Sequence, residues 1–185
     1  GRAERTDAAV SALLRRKPAD MQTVWDGLLY NTFHDILTGT CLERAMEDQI
    51  AWLGGGLHRT QQVEMQALQT LSDQMDTTVP KPAADSPAAL PHVVFNPHPW
   101  PYRGLVEIQA GLDDRPIHAY QDRPEKGPVE VRGPDGHVVS FQRVRTETNF
   151  MPNLFWQVRV AFQAEVPPMG WSVFTVGYLQ GAKNP

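Results

Sequence analysis

The hydrophobic residues of this chain change their spacing part-way along it, and this change constrains the fold more than any other feature. Over residues 1–76 they recur every three to four positions, which is the period of an amphipathic α-helix. From His92 onward they alternate with polar residues, as in a half-buried β-strand. The sequence therefore predicts an α+β protein with a helical N-terminal part and a strand-rich C-terminal part.

The N-terminal part is predicted to contain three helices. The first covers residues 6–17 and ends in three cations before Pro18, which suits a helix C-terminus. The second begins near Asp20 and carries a stripe of apolar residues that should face a core. The members of this stripe are Met21, Val24, Trp25, Leu28 and Leu29.

The third helix is predicted to begin at a capping box. In this motif Thr40 accepts a hydrogen bond from the backbone N–H of Glu43, and the Glu43 side chain reaches back. Three consecutive glycines at positions 54–56 each cost a helix about 1 kcal/mol relative to alanine. We expect one long helix with a weak middle rather than a hairpin at this point, and a three-helix bundle over residues 1–76.

Beyond the helices, residues 77–91 are rich in proline and alanine and are predicted to be a linker. Residues 92–185 are predicted to form an antiparallel β-sandwich portion. A Gly-Pro-Asp-Gly sequence at residues 133–136 is a strong turn signal. The predicted strands cover residues 92–95, 104–110, 116–121, 129–132, 137–145, 154–166 and 171–179.

Composition excludes several classes of function. A formal net charge of −4 offers no basic surface for nucleic acid, and no apolar run approaches the roughly 20 residues of a membrane-spanning helix. Because Cys41 is the only cysteine, no internal disulfide can form, and we expect a reducing, cytoplasmic compartment. The chain begins with Gly1 and shows nothing like a signal peptide, so we expect a processed or excised piece.

The residues that most suggest chemistry are His34 and Asp35, which lie side by side where the second predicted helix ends. A neutral imidazole is a good zinc ligand, and a nearby carboxylate can accept hydrogen bonds from sugar hydroxyls. Capping or simple solvation is the alternative explanation of the pair. One histidine and one aspartate also cannot fill the three or more protein positions of a usual zinc site.

Residues 25–49, WDGLLYNTFHDILTGTCLERAMEDQ, resemble the middle-domain segment of the class II α-mannosidases, glycoside hydrolase family 38. The resemblance rests on an N/Q-x-x-H-D core, here residues 31–35, followed by a glycine turn and a long helix. Thr38 stands where many members have proline. Residues 93–108, VVFNPHPWPYRGLVEI, and residues 166–176, VPPMGWSVFTV, resemble the family's first β-domain strand and the strand that closes that segment.

The resemblance implies that His34 is a zinc ligand and that Asp35 binds hydroxyls of the mannose ring. It implies a parent enzyme that hydrolyses α-mannoside glycans with retention and uses one zinc ion. In the family, the other zinc ligands belong to a preceding α/β domain and include a His-x-Asp pair, which none of the six histidines here forms. The resemblance therefore implies that the N-terminal catalytic domain lies outside this chain, which has no catalytic residue and no activity alone.

Two other classes of function stay open. The HD-type metal phosphohydrolases also use adjacent His and Asp, but their domain is all-helical, and the strand-rich part argues against them. A non-catalytic module would bind carbohydrate through tryptophans as stacking platforms, or would form a homo-oligomer. Its candidate platforms are Trp100, Trp156 and Trp171, of which Trp156 has the strand phase of a core residue.

Overall fold

The computed structural model describes residues 2–79, 87–112, 120, 122–123, 126–145 and 156–179. The chain divides into two compact units, residues 1–76 and residues 77–185. The described residues form three helices in the first unit and two antiparallel sheets in the second, so the predicted α+β class is confirmed. None of the described helices is long and apolar enough to cross a membrane.

The three helices are divided differently from the prediction. Helix α1 spans Arg2–Tyr30, helix α2 spans His34–Leu37, and helix α3 spans Glu43–Ser72. The predicted break before Pro18 is wrong, because α1 runs through this proline. Alanine, leucine, arginine and methionine near it are strong helix formers, and they offset the cost of about 3 kcal/mol that an interior proline brings.

Helix α3 starts without the predicted capping box. Leu42 occupies the N-cap position, and no side chain caps the helix. Thr40 lies two residues before that position, where its hydroxyl is too early in the chain to reach the first helical N–H groups. The prediction that α3 continues through its three glycines is confirmed.

Helices α1 and α3 form an antiparallel hairpin. Asp20 near the middle of α1 accepts a hydrogen bond from Arg59 at 3.1 Å, while the ring of Tyr30 at its end lies 5.6 Å from that of Trp52. Among the described side chains of this unit, only Asn31, Gln49 and Met75 are buried. The apolar stripe predicted to face a core is largely exposed, because a pair of helices buries only a narrow seam.

The second unit contains seven described strands in two sheets. The four-stranded sheet has the order β1 (Leu90–Asn96), β7 (Gly170–Tyr178), β3 (Val129–Arg132) and β4 (Val138–Val139). The three-stranded sheet has the order β2 (Tyr102–Gly111), β6 (Gln157–Val166) and β5 (Phe141–Val144). Every pairing is antiparallel.

Most predicted strands coincide with observed ones, and the predicted segment 137–145 contains both β4 and β5. The predicted strand at 116–121 falls outside the described residues except for Tyr120. Much of the predicted linker is also outside them, and its last two residues belong to β1. The predicted turn at 133–136 is present, with Gly136 at φ +78° and its N–H bonded to the Gly133 carbonyl at 3.0 Å.

Both sheets contribute to one hydrophobic core. On β6 the buried side chains alternate with others, as the period of two predicts, except at Ala161, which is also buried. Phe162 of β6 meets Phe174 of β7 with ring centroids 4.9 Å apart, which joins the two sheets. Trp156 packs against this core, so it is not available as a stacking platform.

Candidate functional site

The candidate site is the connection between α1 and α3, which carries His34 and Asp35. After α1 ends, the chain turns through residues 31–33 and enters the single turn of α2. The side-chain amide nitrogen (Nδ2) of Asn31 donates to the Gly27 carbonyl at 2.7 Å, which ties the turn back to α1. The N–H groups of Ile36 and Leu37 both donate to the Phe33 carbonyl, so α2 is held by its own backbone.

A Schellman motif ends α2 and fixes the path into α3. Gly39 has φ +74°, a left-handed conformation that costs other residues free energy. Its N–H donates to the Ile36 carbonyl at 3.0 Å, and the N–H of Thr40 donates to the Asp35 carbonyl at 2.9 Å. These two bonds satisfy carbonyl groups at the helix end and hold Thr40 over Asp35.

The side chains of His34 and Asp35 lie against each other at the surface. Nε2 of His34 is 3.4 Å from Oδ2 of Asp35, and the two side chains are 78% and 51% exposed. The Phe33 ring lies 4.3 Å from the imidazole, centroid to centroid. The pair therefore presents one nitrogen and one oxygen donor outward from a short helix.

Two threonines support this arrangement. Thr40 Oγ1 donates to Asp35 Oδ1 at 3.1 Å, which leaves Oδ2 on the side of the imidazole. Thr38 Oγ1 donates to the His34 carbonyl at 2.6 Å, and the two threonine hydroxyls are 3.0 Å apart. The sequence singled out Thr40 only as a helix cap, so its contact with Asp35 was missed. The spacing of five residues, closed by a glycine turn, was the available signal.

Two buried amide side chains belong to the first residue of the turn and to the facing part of α3. Asn31 and Gln49 are each more than nine-tenths buried, and their side-chain oxygens have no hydrogen-bond partner among the described residues. The antiparallel pairing of α1 with α3 brings the two residues to the same level of the hairpin. Leaving a buried acceptor unpaired costs about 1–3 kcal/mol, so this level of the hairpin is packed at the expense of hydrogen bonding.

The donor set fits part of a zinc site and not a whole one. Among the described residues, no group of three or more His, Cys, Asp or Glu side chains could hold a metal ion. Zinc in proteins takes at least three protein ligands, nitrogen and carboxylate oxygen among them. His34 and Asp35 can therefore serve a zinc ion only together with ligands from elsewhere.

The comparisons with known proteins bear on the fold. No family model and no curated protein matches the chain. One solved structure that matches the chain is a protein of glycosyl hydrolase family 38 from Enterococcus faecalis. The TM-score is 0.58 and the sequence identity is 20%. The match covers 86% of this chain and 20% of that protein. The fold resembles that of a family 38 hydrolase.

This likeness supports the resemblance noted in the sequence, at the level of the fold. The chain spans about a fifth of the length of the Enterococcus protein.

Proposed function

We propose that this chain is part of a zinc-dependent retaining α-mannosidase of glycoside hydrolase family 38. In this proposal His34 supplies a zinc ligand and Asp35 binds hydroxyl groups of an α-mannoside. The observation that supports it is the exposed His34–Asp35 pair on a one-turn helix, in a chain whose fold resembles a family 38 protein. The single cysteine favours a cytoplasmic location for this enzyme.

The local geometry suits these two roles. The imidazole of His34 is largely exposed, so a metal ion can approach its Nε2. Asp35 Oδ1 is held by the Thr40 hydroxyl, and a carboxylate fixed in this way keeps its other oxygen ready to accept hydrogen bonds from a sugar. A bound zinc ion would polarise and orient the substrate's hydroxyl groups.

The remaining groups belong, in this proposal, to a catalytic domain that precedes the chain in the same protein. A retaining glycosidase needs two carboxyl groups about 5–5.5 Å apart, one as nucleophile and one as acid and base. We therefore expect the chain alone to be inactive towards α-mannosides.

The test is the substitution His34→Ala in the full-length protein that includes this chain. Because loss of a ligand removes the metal, we expect hydrolysis of an aryl α-mannoside to fall by at least about a hundredfold. Far-UV circular dichroism should not change, since the His34 side chain is exposed.

His58→Ala is the matched control, because His58 is an exposed histidine on α3 outside the turn. It should hydrolyse the aryl mannoside at the rate of the unmodified protein. Unchanged hydrolysis in the His34→Ala protein would refute the assignment of His34.

A further inference from the structure

A second group of exposed side chains lies at one end of the β unit, where two turns meet. Residues 97–101 connect β1 to β2, and residues 167–169 connect β6 to β7. The N–H of Met169 donates to the His98 carbonyl at 2.8 Å, so the two turns are bonded to each other. We call His98, Trp100 and Met169 the two-turn cluster.

A single buried amide fixes the backbone of this cluster. Asn96 is 3% exposed, and its Nδ2 donates to the carbonyls of Trp100 at 2.7 Å and Pro167 at 3.0 Å. Its Oδ1 accepts a hydrogen bond from the His98 N–H at 3.1 Å. Both turns are therefore anchored on one residue, and the side chains above them are held in place before any ligand arrives.

The cluster exposes apolar surface that folding alone does not require. The rings of His98 and Trp100 are stacked, with centroids 4.9 Å apart and planes 10° from parallel, and Trp100 is 59% exposed. Met169 is 71% exposed and has φ +45°, a conformation in which glycine is the usual residue. Strained backbone and a rigid exposed indole on adjoining turns are features of binding sites.

We propose that the two-turn cluster binds one pyranose ring of a glycan. The ring would stack on the open side of the Trp100 indole, whose negative face attracts the polarised C–H groups of a sugar. Met169 would contact the edge of the sugar, and the His98 imidazole would exchange a hydrogen bond with a hydroxyl group. The choice of a glycan as ligand rests on the function proposed above.

The size of the cluster favours a sugar over a protein partner. A stable protein interface buries at least about 1,000 Å² in total, which calls for a much wider surface than three side chains on two turns. One indole face matches the area of a single sugar ring.

The experiment is a titration of this chain with an α-linked mannotriose, followed by the NMR signals of the five tryptophan indole N–H groups. The Trp100 signal is assigned by its absence in a Trp100→Phe variant. We expect this signal alone to shift, and we expect Trp100→Ala to weaken binding about fivefold to tenfold. Trp171→Ala is the matched control, because Trp171 is also exposed but has no stacked ring among the described residues.

The outcomes separate this proposal from the one on which it rests. No shift at Trp100, or equal weakening by Trp100→Ala and Trp171→Ala, would overturn the glycan site. A concentration-dependent dimer that Trp100→Ala abolishes, without any response to sugar, would assign the cluster to protein contact and would also overturn it. A Trp100 shift in a protein that does not hydrolyse mannosides would refute the proposed enzyme and leave this site in place.

Discussion

At the scale of the residue, His92 lies where the edge strand β1 of one sheet approaches β2 of the other. Its Nδ1 is 3.0 Å from the Leu90 carbonyl. Burial disfavours the charged imidazole and lowers the pKa of His92 below 6.5, while hydrogen bonds to the backbone of Leu90 and Gln109 oppose this effect in part. The folded β unit thus binds a proton at His92 less readily than the unfolded chain does.

This difference predicts a pH dependence of stability. As the pH falls through 6.5, the unfolded chain takes up a proton at His92 that the folded chain does not, so the free energy of unfolding decreases until the lowered folded-state pKa is reached. Urea unfolding at pH 7.5 and at pH 5.5 measures the loss. His92→Gln should show a smaller loss over the same interval, and an equal loss in both proteins would contradict the assignment.

The residue scale also shows which parts of the site the sequence could predict. His34 and Asp35 stand in a recognisable local pattern, and the structure brings them within 3.4 Å of each other. Thr40 was assigned to the wrong partner, because a cap is defined by where the helix starts, and α3 starts at Glu43. The stacking of His98 on Trp100 occurs within one irregular turn that is bonded to a second turn, and the hydrophobic periodicity of the sequence does not reveal it.

At the scale of the element, the strands were more predictable than the helices. Alternation along a strand such as β6 reports one buried face and needs no knowledge of distant residues. The course of α1 through Pro18 was not predictable, because propensities of neighbouring residues compete with the proline. The predicted bundle likewise counted the residues from Asp20 onward as a separate second helix, whereas they belong to α1, and α2 is a single turn that was not predicted.

Replacing glycine by alanine should change the free energy of unfolding in opposite directions at two positions of the helical unit. Gly39→Ala places a Cβ on a left-handed residue between α2 and α3, and should lower the free energy of unfolding by about 1–2 kcal/mol. Gly55→Ala is the matched control inside α3, where a Cβ meets nothing within 4 Å. It should raise the free energy of unfolding by about 0.5–1 kcal/mol.

Urea unfolding of the two variants beside the unmodified chain measures both changes. If Gly39→Ala were neutral, the Schellman motif would not be what fixes the turn. If Gly55→Ala were destabilising, α3 would not continue as a plain helix through its glycines.

At the scale of the whole molecule, the chain contains two units, and its candidate site offers only two donors. No set of three metal-binding side chains occurs among the described residues, and the match covers only 20% of the family 38 structure that the chain resembles. His34 and Asp35 are too few to hold a zinc ion, as we expect if the proposed active site is divided between this chain and another domain. Sequence reasoning could propose a divided site because the local motif offers one histidine and one aspartate, which are too few ligands for a whole zinc site.

The most direct test of the proposed divided site is the zinc content of the protein with and without the domain proposed to precede this chain. After removal of metal with a chelator and equilibration with zinc, elemental analysis should find about one zinc per full-length protein, and His34→Ala should lose it. This chain alone, without an affinity tag, should retain no tightly bound zinc, since His34 as a single ligand would hold the ion weakly. Stoichiometric zinc in the full-length His34→Ala protein, or in this chain alone, would contradict the account.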